Sequence, residues 1–346
     1  MTPAPAEDHR FMAMALREAR KGVGLTSPNP PVGALVVSAA GEILGKGWHR
    51  RAGGPHAEVV AIRAAGGSAA CRGATLYVTL EPCSTHGRTP PCVEAVIEAG
   101  ISRVVWAVDD PNPSHAGRAR NELAAHGIQV ASGVLADQAA ALLAPWRKFI
   151  TTGRPWVIAK AGISLDGKLT RPRGEGQWIT SERAREDACR LRWRVDAIMV
   201  GAETVRKDNP SLTLRVPRPG KLQPWRVVLT KSGRLPADAR LFTDDHRDRT
   251  LVVGHQPLAE TLVDLAARDV VTVLIEGGGA LLAQAFSQQL VDEAVFYLAP
   301  LLCGTGRPVI DPAWFAGGSV QFTHVHWKTI GDNCRVSGLV ARADGA

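Results

Sequence analysis

The sequence predicts a two-domain α/β protein, and three observations carry that prediction. The chain has 346 residues, more than one hydrophobic core usually serves. Between residues 34 and 131 short β-rich runs alternate with helical apolar patterns, the signature of a layered α/β/α domain. A second alternating series opens with a strand over 156–160 and reaches the turn Glu276-Gly277-Gly278-Gly279 before a helix. The domains are therefore expected at 1–148 and 149–346. With 45% hydrophobic and 21% charged residues the composition is globular, not disordered.

Asp8 is placed to cap a first helix whose apolar stripe is Phe11, Met12, Met14, Ala15 and Ala19, ended near Gly22. A proline-walled turn, Ser27-Pro28-Asn29-Pro30-Pro31, leads to a strand over 34–37. It holds Asn29 either as a substrate-reading amide or as a residue that merely tolerates the turn. A strand over 42–47 leads to His49, and a helix opens at His56 with Val59, Val60, Ile62 and Ala65 as its apolar residues. A strand over 74–80 runs into Glu81-Pro82-Cys83, and Pro91 suits the first position of the next helix. A strand over 103–108, a turn from Asp109 to Pro113, a helix over 118–126 and a strand over 127–131 complete the pattern. The stretch 135–153 reads as a linker helix.

His56, Cys83 and Cys92 form the borderline-soft ligand set that holds zinc and leaves a fourth position for water. Glu58, at the start of the same helix as His56, is placed to face that water and not the metal. His-x-Glu followed by Pro-Cys-x-x-Cys marks zinc nucleobase deaminases, with the glutamate as general acid/base. Here Ser84 to Pro91 separates the two cysteines in place of two residues. Any one of the three alone would pass as a core or loop residue. It is their company with Glu58 and Pro82 that points to zinc. Both ligand segments open helices, whose positive ends favour a thiolate at Cys92. Cys71, Cys189, Cys303 and Cys334 read as core or incidental thiols.

The net charge is +8, and the basic excess is spread along the chain. Its densest cluster, Arg183, Arg185, Arg190, Arg192 and Arg194, is interleaved with Glu182, Glu186 and Asp187 and reads as a solvated helix face. Such a balance suits a small phosphorylated substrate, and no nucleic-acid partner is expected. No run approaches membrane-spanning length, and residues 1–10 hold no apolar core. A cytoplasmic protein with reduced thiols and no membrane partner is expected, assembled as a homo-oligomer.

In the second domain Lys160 ends a strand, and Ser164-Leu165-Asp166 is either a pocket wall or a surface turn. A loop with Gly174, Gly176, Trp178 and Thr180 precedes a helix from Ser181. A strand over 197–200 runs into Gly201-Ala202-Glu203-Thr204-Val205, followed by the loop Lys207-Asp208-Asn209-Pro210. A strand over 270–275 then enters the glycine turn and a helix over 281–289. Strand, glycines and helix make an anion cradle, or else a glycine cap without a ligand. The turn lacks the Gly-x-Gly-x-x-Gly fingerprint and its acidic ribose-binding partner, so a Rossmann domain is disfavoured.

Nearly the whole chain resembles the bifunctional riboflavin-biosynthesis family that joins diaminohydroxyphosphoribosylaminopyrimidine deaminase to 5-amino-6-(5-phosphoribosylamino)uracil reductase. In the first half the resemblance rests on Asn29-Pro30-x-Val32-Gly33-Ala34, His56-Ala57-Glu58, Thr79-Leu80-Glu81-Pro82-Cys83, Gly87-x-Thr89-Pro90-Pro91-Cys92 and Asp110-Pro111-Asn112-Pro113. In the second it rests on Lys160 with Ser164-Leu165-Asp166-Gly167, Trp178-Ile179-Thr180-Ser181, Asp208-Asn209-Pro210-Ser211-Leu212-Thr213 with Arg215, and Glu276-Gly277-Gly278. Thr85, Arg88 and Ala119 depart from the pattern, which has histidine, lysine and glycine there.

The resemblance implies a cytidine-deaminase-like α/β/α domain followed by a dihydrofolate-reductase-like α/β domain. It implies zinc on His56, Cys83 and Cys92, Glu58 as the acid/base, and substrate contacts from Asn29 and His49. It places NADPH against Gly162, Trp178, Thr204, Asp208, Gly278 and Gly279. The ribosyl phosphate substrate would meet Gly176, Arg192, Leu212, Arg215 and Glu276, the arginines through planar forks suited to phosphate. The implied reactions are hydrolytic deamination of 2,5-diamino-6-ribosylamino-4(3H)-pyrimidinone 5′-phosphate, then NADPH-dependent reduction of the ribosyl group to ribityl. Lys160 and Asp208 are the candidates for proton handling in the second step. The alternative reading is a zinc nucleobase or nucleic-acid deaminase with an accessory nucleotide-binding domain, which would want a basic, aromatic-lined channel.

Overall fold

In a computed structural model the chain forms two compact units, Met1–Gly153 and Arg154–Ala346. The structure describes residues 5–85, 90–112, 117–254 and 256–341. The boundary expected at 148/149 falls inside a helix of the first unit.

The first unit runs α1 (Ala6–Lys21), β1 (Gly33–Val37), β2 (Ile43–Trp48), α2 (Ala57–Ala64), α3 (Ser68–Cys71), β3 (Thr75–Leu80), α4 (Cys92–Glu98), β4 (Arg103–Val108), α5 (Arg118–Ala125), β5 (Gln129–Ser132) and α6 (Ala136–Thr152). Its sheet has the order β2-β1-β3-β4-β5. β1 is antiparallel to β2 and β3, and β3, β4 and β5 are parallel. α1 and α6 pack on one face of the sheet, α2 on the other together with α4 and α5. β1 is buried along its whole length, as a strand covered on both faces must be.

Two expectations are corrected here. Pro5, not Asp8, stands at the start of α1. Asp8 lies in the first turn, buried, where it accepts from Tyr77 and forms a two-pronged pair with Arg103 at 2.8 and 2.7 Å. Nor is α6 a linker: Ala139, Leu143 and Trp146 are buried, and Ala139 shares a core with Phe11, Leu35 and Val105.

Glycines set α2 close upon the sheet. A Cβ at Gly45 would overlap Ala61 O, and one at Gly47 would overlap Ala57 O. Because α2 begins at Ala57, this close approach fixes the height of His56 and Glu58 above the strands.

The second unit runs β6 (Trp156–Ser164), α7 (Glu182–Leu191), β7 (Ala197–Gly201), α8 (Ala202–Asp208), β8 (Trp225–Thr230), α9 (Arg240–Thr243), β9 (Thr250–Gly254), α10 (Leu258–Ala266), β10 (Thr272–Glu276), α11 (Gly279–Ser287), β11 (Glu293–Ala299), β12 (Phe322–Ile330) and β13 (Asn333–Val340). Strand order is β12-β13-β11-β6-β10-β7-β8-β9. The six strands from β11 to β9 are parallel, and β13 and β12 continue antiparallel at one edge. Leu258, Leu262, Leu282 and Phe286 of α10 and α11 fill one face, Ala184, Ala188, Leu191, Val205 and Leu241 of α7 to α9 the other.

Residues 202–208, expected as turn and loop, form helix α8, and residues 161–164 extend β6 beyond the expected strand. The parallel strands β6, β10 and β7 deliver Lys160, Glu276 and Gly201 to the same, carboxyl-terminal edge of the sheet. Such an edge is where open α/β sheets bind ligands.

Candidate active sites

The first site is built where three segments of the first unit meet. His56 stands at the N-cap of α2, Cys83 follows β3, and Cys92 is the first residue of α4. Pro91 is that helix's cap and not its first residue, but both ligand segments open helices as expected. One ligand atom from each of the three side chains lies within 4.8 Å of the others. His56 Nδ1 is 3.1 Å from Cys92 Sγ and 3.5 Å from Cys83 Sγ, and the Cys92 backbone N–H donates to Cys83 Sγ at 3.3 Å.

Hydrogen bonds from the Cys92 thiol and the His56 ring hold Cys83 far below the ordinary thiol range, whereas sharing that proton, together with burial, pushes Cys92 up. His56 is raised by its hydrogen bond to Cys83. One imidazole and two thiols, one already biased to thiolate, fit a zinc ion with a fourth position left for solvent.

Glu58 is 3% exposed, and its Oε2 has no hydrogen-bond partner among the described residues. Burial pushes its carboxyl up. A buried, unsatisfied carboxylate oxygen costs free energy, so its retention beside the ligand set is a mark of chemistry rather than of packing.

His49 and Asn29 lie in the same cluster. The His49 and His56 rings meet edge to face, 5.2 Å between centroids. His49 is buried; its Nδ1 reaches Pro55 O at 3.1 Å, and Asn29 Nδ2 reaches its Nε2 at 3.2 Å. Desolvation lowers its pKa, so the neutral tautomer with Nδ1–H donating and Nε2 accepting satisfies both contacts. In the sequence Glu81 stands out only as part of the Glu81-Pro82-Cys83 motif. Its buried carboxylate accepts from the Asp110 and Gly117 backbone N–H groups, tying those two residues to the segment that leads into Cys83. His86 and Arg88, two positions of the cysteine loop, lie outside the described residues.

The second site sits at the carboxyl-terminal edge of the larger sheet. Glu276 closes β10 and faces its register partner Lys160 on β6, 3.6 Å from Nζ to Oε2. Arg192 donates from Nε and Nη2 to Glu276 at 2.7 and 2.9 Å, and from Nη1 to Thr213 O at 2.7 Å. Burial alone would raise Glu276; the Arg192 and Lys160 charges bring it down to about 2. Arg192 is therefore not part of a solvated helix face. It is 7% exposed, and its fork is spent on a carboxylate and a carbonyl. Arg215 is exposed, and its guanidinium makes no hydrogen bond or ion pair among the described residues.

Gly277 and Gly278 hold φ of 81° and 82°, a conformation side chains avoid. A Cβ at Gly278 would point into the notch beside Thr204, 3.9 Å from its Oγ1, and one at Gly279 would overlap Pro308 O. The turn thus leaves an open backbone notch between α8 and α11, fit for a cofactor's phosphate or amide. Gly162 faces Thr180 closely, and Gly176 holds φ of 103°. Trp178 is half exposed with the Arg185 guanidinium 4.8 Å from its ring centroid, Leu212 is buried, and Asp208 ends α8. The Ser164-Leu165-Asp166 turn is a tether: Asp166 accepts from Ser164 Oγ and from the Cys303 and Gly304 backbone N–H groups.

Residues 5–108 match the family described as cytidine and deoxycytidylate deaminase zinc-binding region, and residues 155–336 match the RibD C-terminal domain. The riboflavin biosynthesis protein RibD of Escherichia coli strain K12 is 40% identical over 330 residues, covering 86% of this chain and 89% of that protein. RibD of Bacillus amyloliquefaciens is 42% identical, covering 90% and 88%. The solved structure of Acinetobacter baumannii RibD superimposes with a TM-score of 0.89 at 35% identity, covering 97% of this chain and 99% of that one. Two-domain identity at this level over nearly the full length of both partners leaves one conclusion: the chain belongs to the RibD family of bifunctional riboflavin-biosynthesis enzymes, which pair a zinc-dependent deaminase with an NADPH-dependent reductase.

Proposed function

We propose that the two units divide the two reactions, with the first deaminating 2,5-diamino-6-ribosylamino-4(3H)-pyrimidinone 5′-phosphate and the second reducing the deaminated product. The observation that carries this reading is the convergence of His56, Cys83 and Cys92 within 4.8 Å beside the unpartnered Glu58 Oε2. The three ligands would hold zinc, whose Lewis acidity makes water nucleophilic at neutral pH. Glu58 takes the proton released as water attacks the amine-bearing ring carbon and returns it to the departing ammonia. Its burial keeps bulk water from taking over that proton. Asn29 lines the pyrimidine site, and His49, with both ring nitrogens engaged, holds the Asn29 amide in place.

In the second unit NADPH would lie along Gly162, Trp178, Thr204, Asp208, Gly278 and Gly279, and supplies the hydride for C1′ of the ribose. Glu276 is the anionic partner for the sugar, fixed by Arg192 and Lys160. Gly176 and Leu212 border the substrate, and Arg215, exposed and without a side-chain partner among the described residues, meets the phosphate. The match of residues 155–336 to the RibD C-terminal domain favours this over a nucleic-acid deaminase. Among the described residues no helix is long and apolar enough to cross a membrane. We place the protein in the cytoplasm, where its six cysteines, none of them in a disulfide, stay reduced. Assembly of copies is part of the proposal; Trp327, 68% exposed on the edge strand β12, is apolar surface available for it.

The test is product mass. Exchange of amine for oxygen adds about one mass unit without NADPH, and hydride plus proton then add about two. Absence of the first step with purified, zinc-loaded protein would refute the assignment of the first unit.

A further inference from the structure

Arg226 lies in the middle of the sequence Trp225-Arg226-Val227-Val228 on β8, and it is 1% exposed. All five of its N–H donors are used. Nε donates to Thr250 Oγ1 at 3.0 Å; Nη1 donates to Asp244 Oδ2 at 2.6 Å and Ser211 O at 3.1 Å; Nη2 donates to Asp244 Oδ1 at 2.8 Å and Leu241 O at 2.9 Å. Apolar residues of like volume replace buried ion pairs with little loss of stability. What this arginine supplies is therefore the placement of the groups it holds.

Ser211 belongs to the loop 209–215, and that backbone is unusual. Asn209 holds φ of 40° and the buried Leu212 holds φ of 49°, both in the left-handed region that a leucine seldom enters. Such a conformation persists only where its surroundings over-determine it, and it gathers at functional sites. Here the loop is held at four points. Asn209 Oδ1 accepts from the Arg240 backbone N–H at 2.9 Å, Arg226 holds Ser211 O, Arg192 holds Thr213 O, and Leu214 N–H donates to Gln223 Oε1 at 2.8 Å. The residue that follows is Arg215, exposed and without a side-chain partner among the described residues.

We propose that Arg226, clamped by Asp244, is a positioning residue of the reductase, holding the strained loop so that Arg215 is presented to the substrate's phosphate. This rests on reading Arg215 as the phosphate ligand. A planar fork is needed because two carboxylate oxygens and two carbonyls in different directions must be satisfied at once, which a lysine ammonium cannot do.

The test is Arg226→Lys in the full-length protein. The readouts are kcat and KM for the deaminated substrate with and without its phosphate, NADPH affinity by fluorescence, and melting temperature. KM for the phosphorylated substrate is expected to rise about tenfold or more, the scale of a displaced binding group. NADPH affinity and KM for the dephosphorylated substrate are expected to stay as in the wild type. Arg215→Ala should give the same pattern, and the double variant should add nothing to it. An unchanged KM in a folded Arg226→Lys protein overturns the proposal, as does full additivity with Arg215→Ala. So does a parallel fall of melting temperature, NADPH affinity and kcat, which would assign Arg226 to the fold alone. If Arg226→Lys does not fold, Asp244→Asn, which loosens the clamp but keeps the arginine, must show the same selective rise in KM. The reading of Arg215 fails separately, if Arg215→Ala alone leaves KM for the phosphorylated substrate unchanged.

Discussion

Arg192 and Glu276, 84 residues apart in the chain, meet as a bidentate pair at 2.7 and 2.9 Å where β10 ends. Each side chain is about nine-tenths shielded from solvent. A pair so placed contributes to stability mainly through the penalty of breaking it, because either partner alone would be a buried, uncompensated charge.

Glu276→Gln is the direct probe of that relationship. It preserves the side chain's shape but leaves the Arg192 guanidinium facing a neutral amide. The second unit is expected to lose about 3 kcal/mol of stability, read as a lower urea midpoint. NADPH-dependent reduction should be lost, while deamination by the first unit continues. A variant with unchanged midpoint and lost reduction would show that Glu276 contacts the substrate but that its pairing carries little stability.

The same residue gives the acid behaviour. The folded Glu276 carboxyl titrates at about 2, below its ordinary 4.5. A depressed folded pKa means that the unfolded chain binds the proton more readily. The stabilisation is therefore complete above the ordinary glutamate range and is lost as pH falls through 4.5 towards 2. Asp244, held down by Arg226, adds the same sign. Between those limits the wild type should lose stability more steeply than Glu276→Gln, the difference approaching one proton, or about 1.4 kcal/mol per pH unit. Urea unfolding at several acid pH values reads it; parallel slopes for the two proteins would contradict the depressed carboxyl.

The first site was legible in the sequence and the second only in part, for a physical reason. A metal set needs particular side chains at short spacings from helix starts, so His56, Glu58, Cys83 and Cys92 announce themselves locally. A buried ion pair needs only that two distant residues meet. Arg192 sits among arginines that look like a solvated face, and nothing in the sequence around the end of α7 marks it as the one turned inward. Arg226 is still less visible: nothing in the sequence around it signals that Asp244, Ser211 and Leu241 close over its guanidinium. The positive φ at Leu212 could not be read at all, because nothing in a leucine signals it, whereas Asn209 is a residue type that enters that region as a helix cap. The glycine turn, by contrast, was legible because its backbone demands residues without side chains.

Glu58→Gln tests the division between binding and chemistry. The amide keeps the volume of the carboxylate but cannot carry a proton, so deamination should fall by at least about 100-fold. Zinc content should be unchanged, since the ligand set His56, Cys83 and Cys92 is intact. Because Glu58 Oε2 is buried without a partner, the neutral amide should not destabilise the first unit. Elemental analysis and thermal melting check both points; loss of zinc along with activity would mean that Glu58 helps to hold the metal.

Removal of zinc should separate the two activities. The three ligands come from the cap of α2, the loop after β3 and the first residue of α4, all within the first unit. Metal binding energy stabilises whatever fold brings its ligands together, so its loss falls on that unit. Treatment with a chelator is expected to abolish deamination and lower the first unit's melting temperature. Reduction of supplied deaminated substrate by NADPH should continue at its former rate, because Lys160, Arg192, Arg215 and Glu276 lie on elements of the second unit. Returning zinc should restore deamination, and Cys83→Ser protein should not recover. Equal loss of both activities on chelation would show that the metal supports the reductase as well, and would overturn the assignment of separate sites.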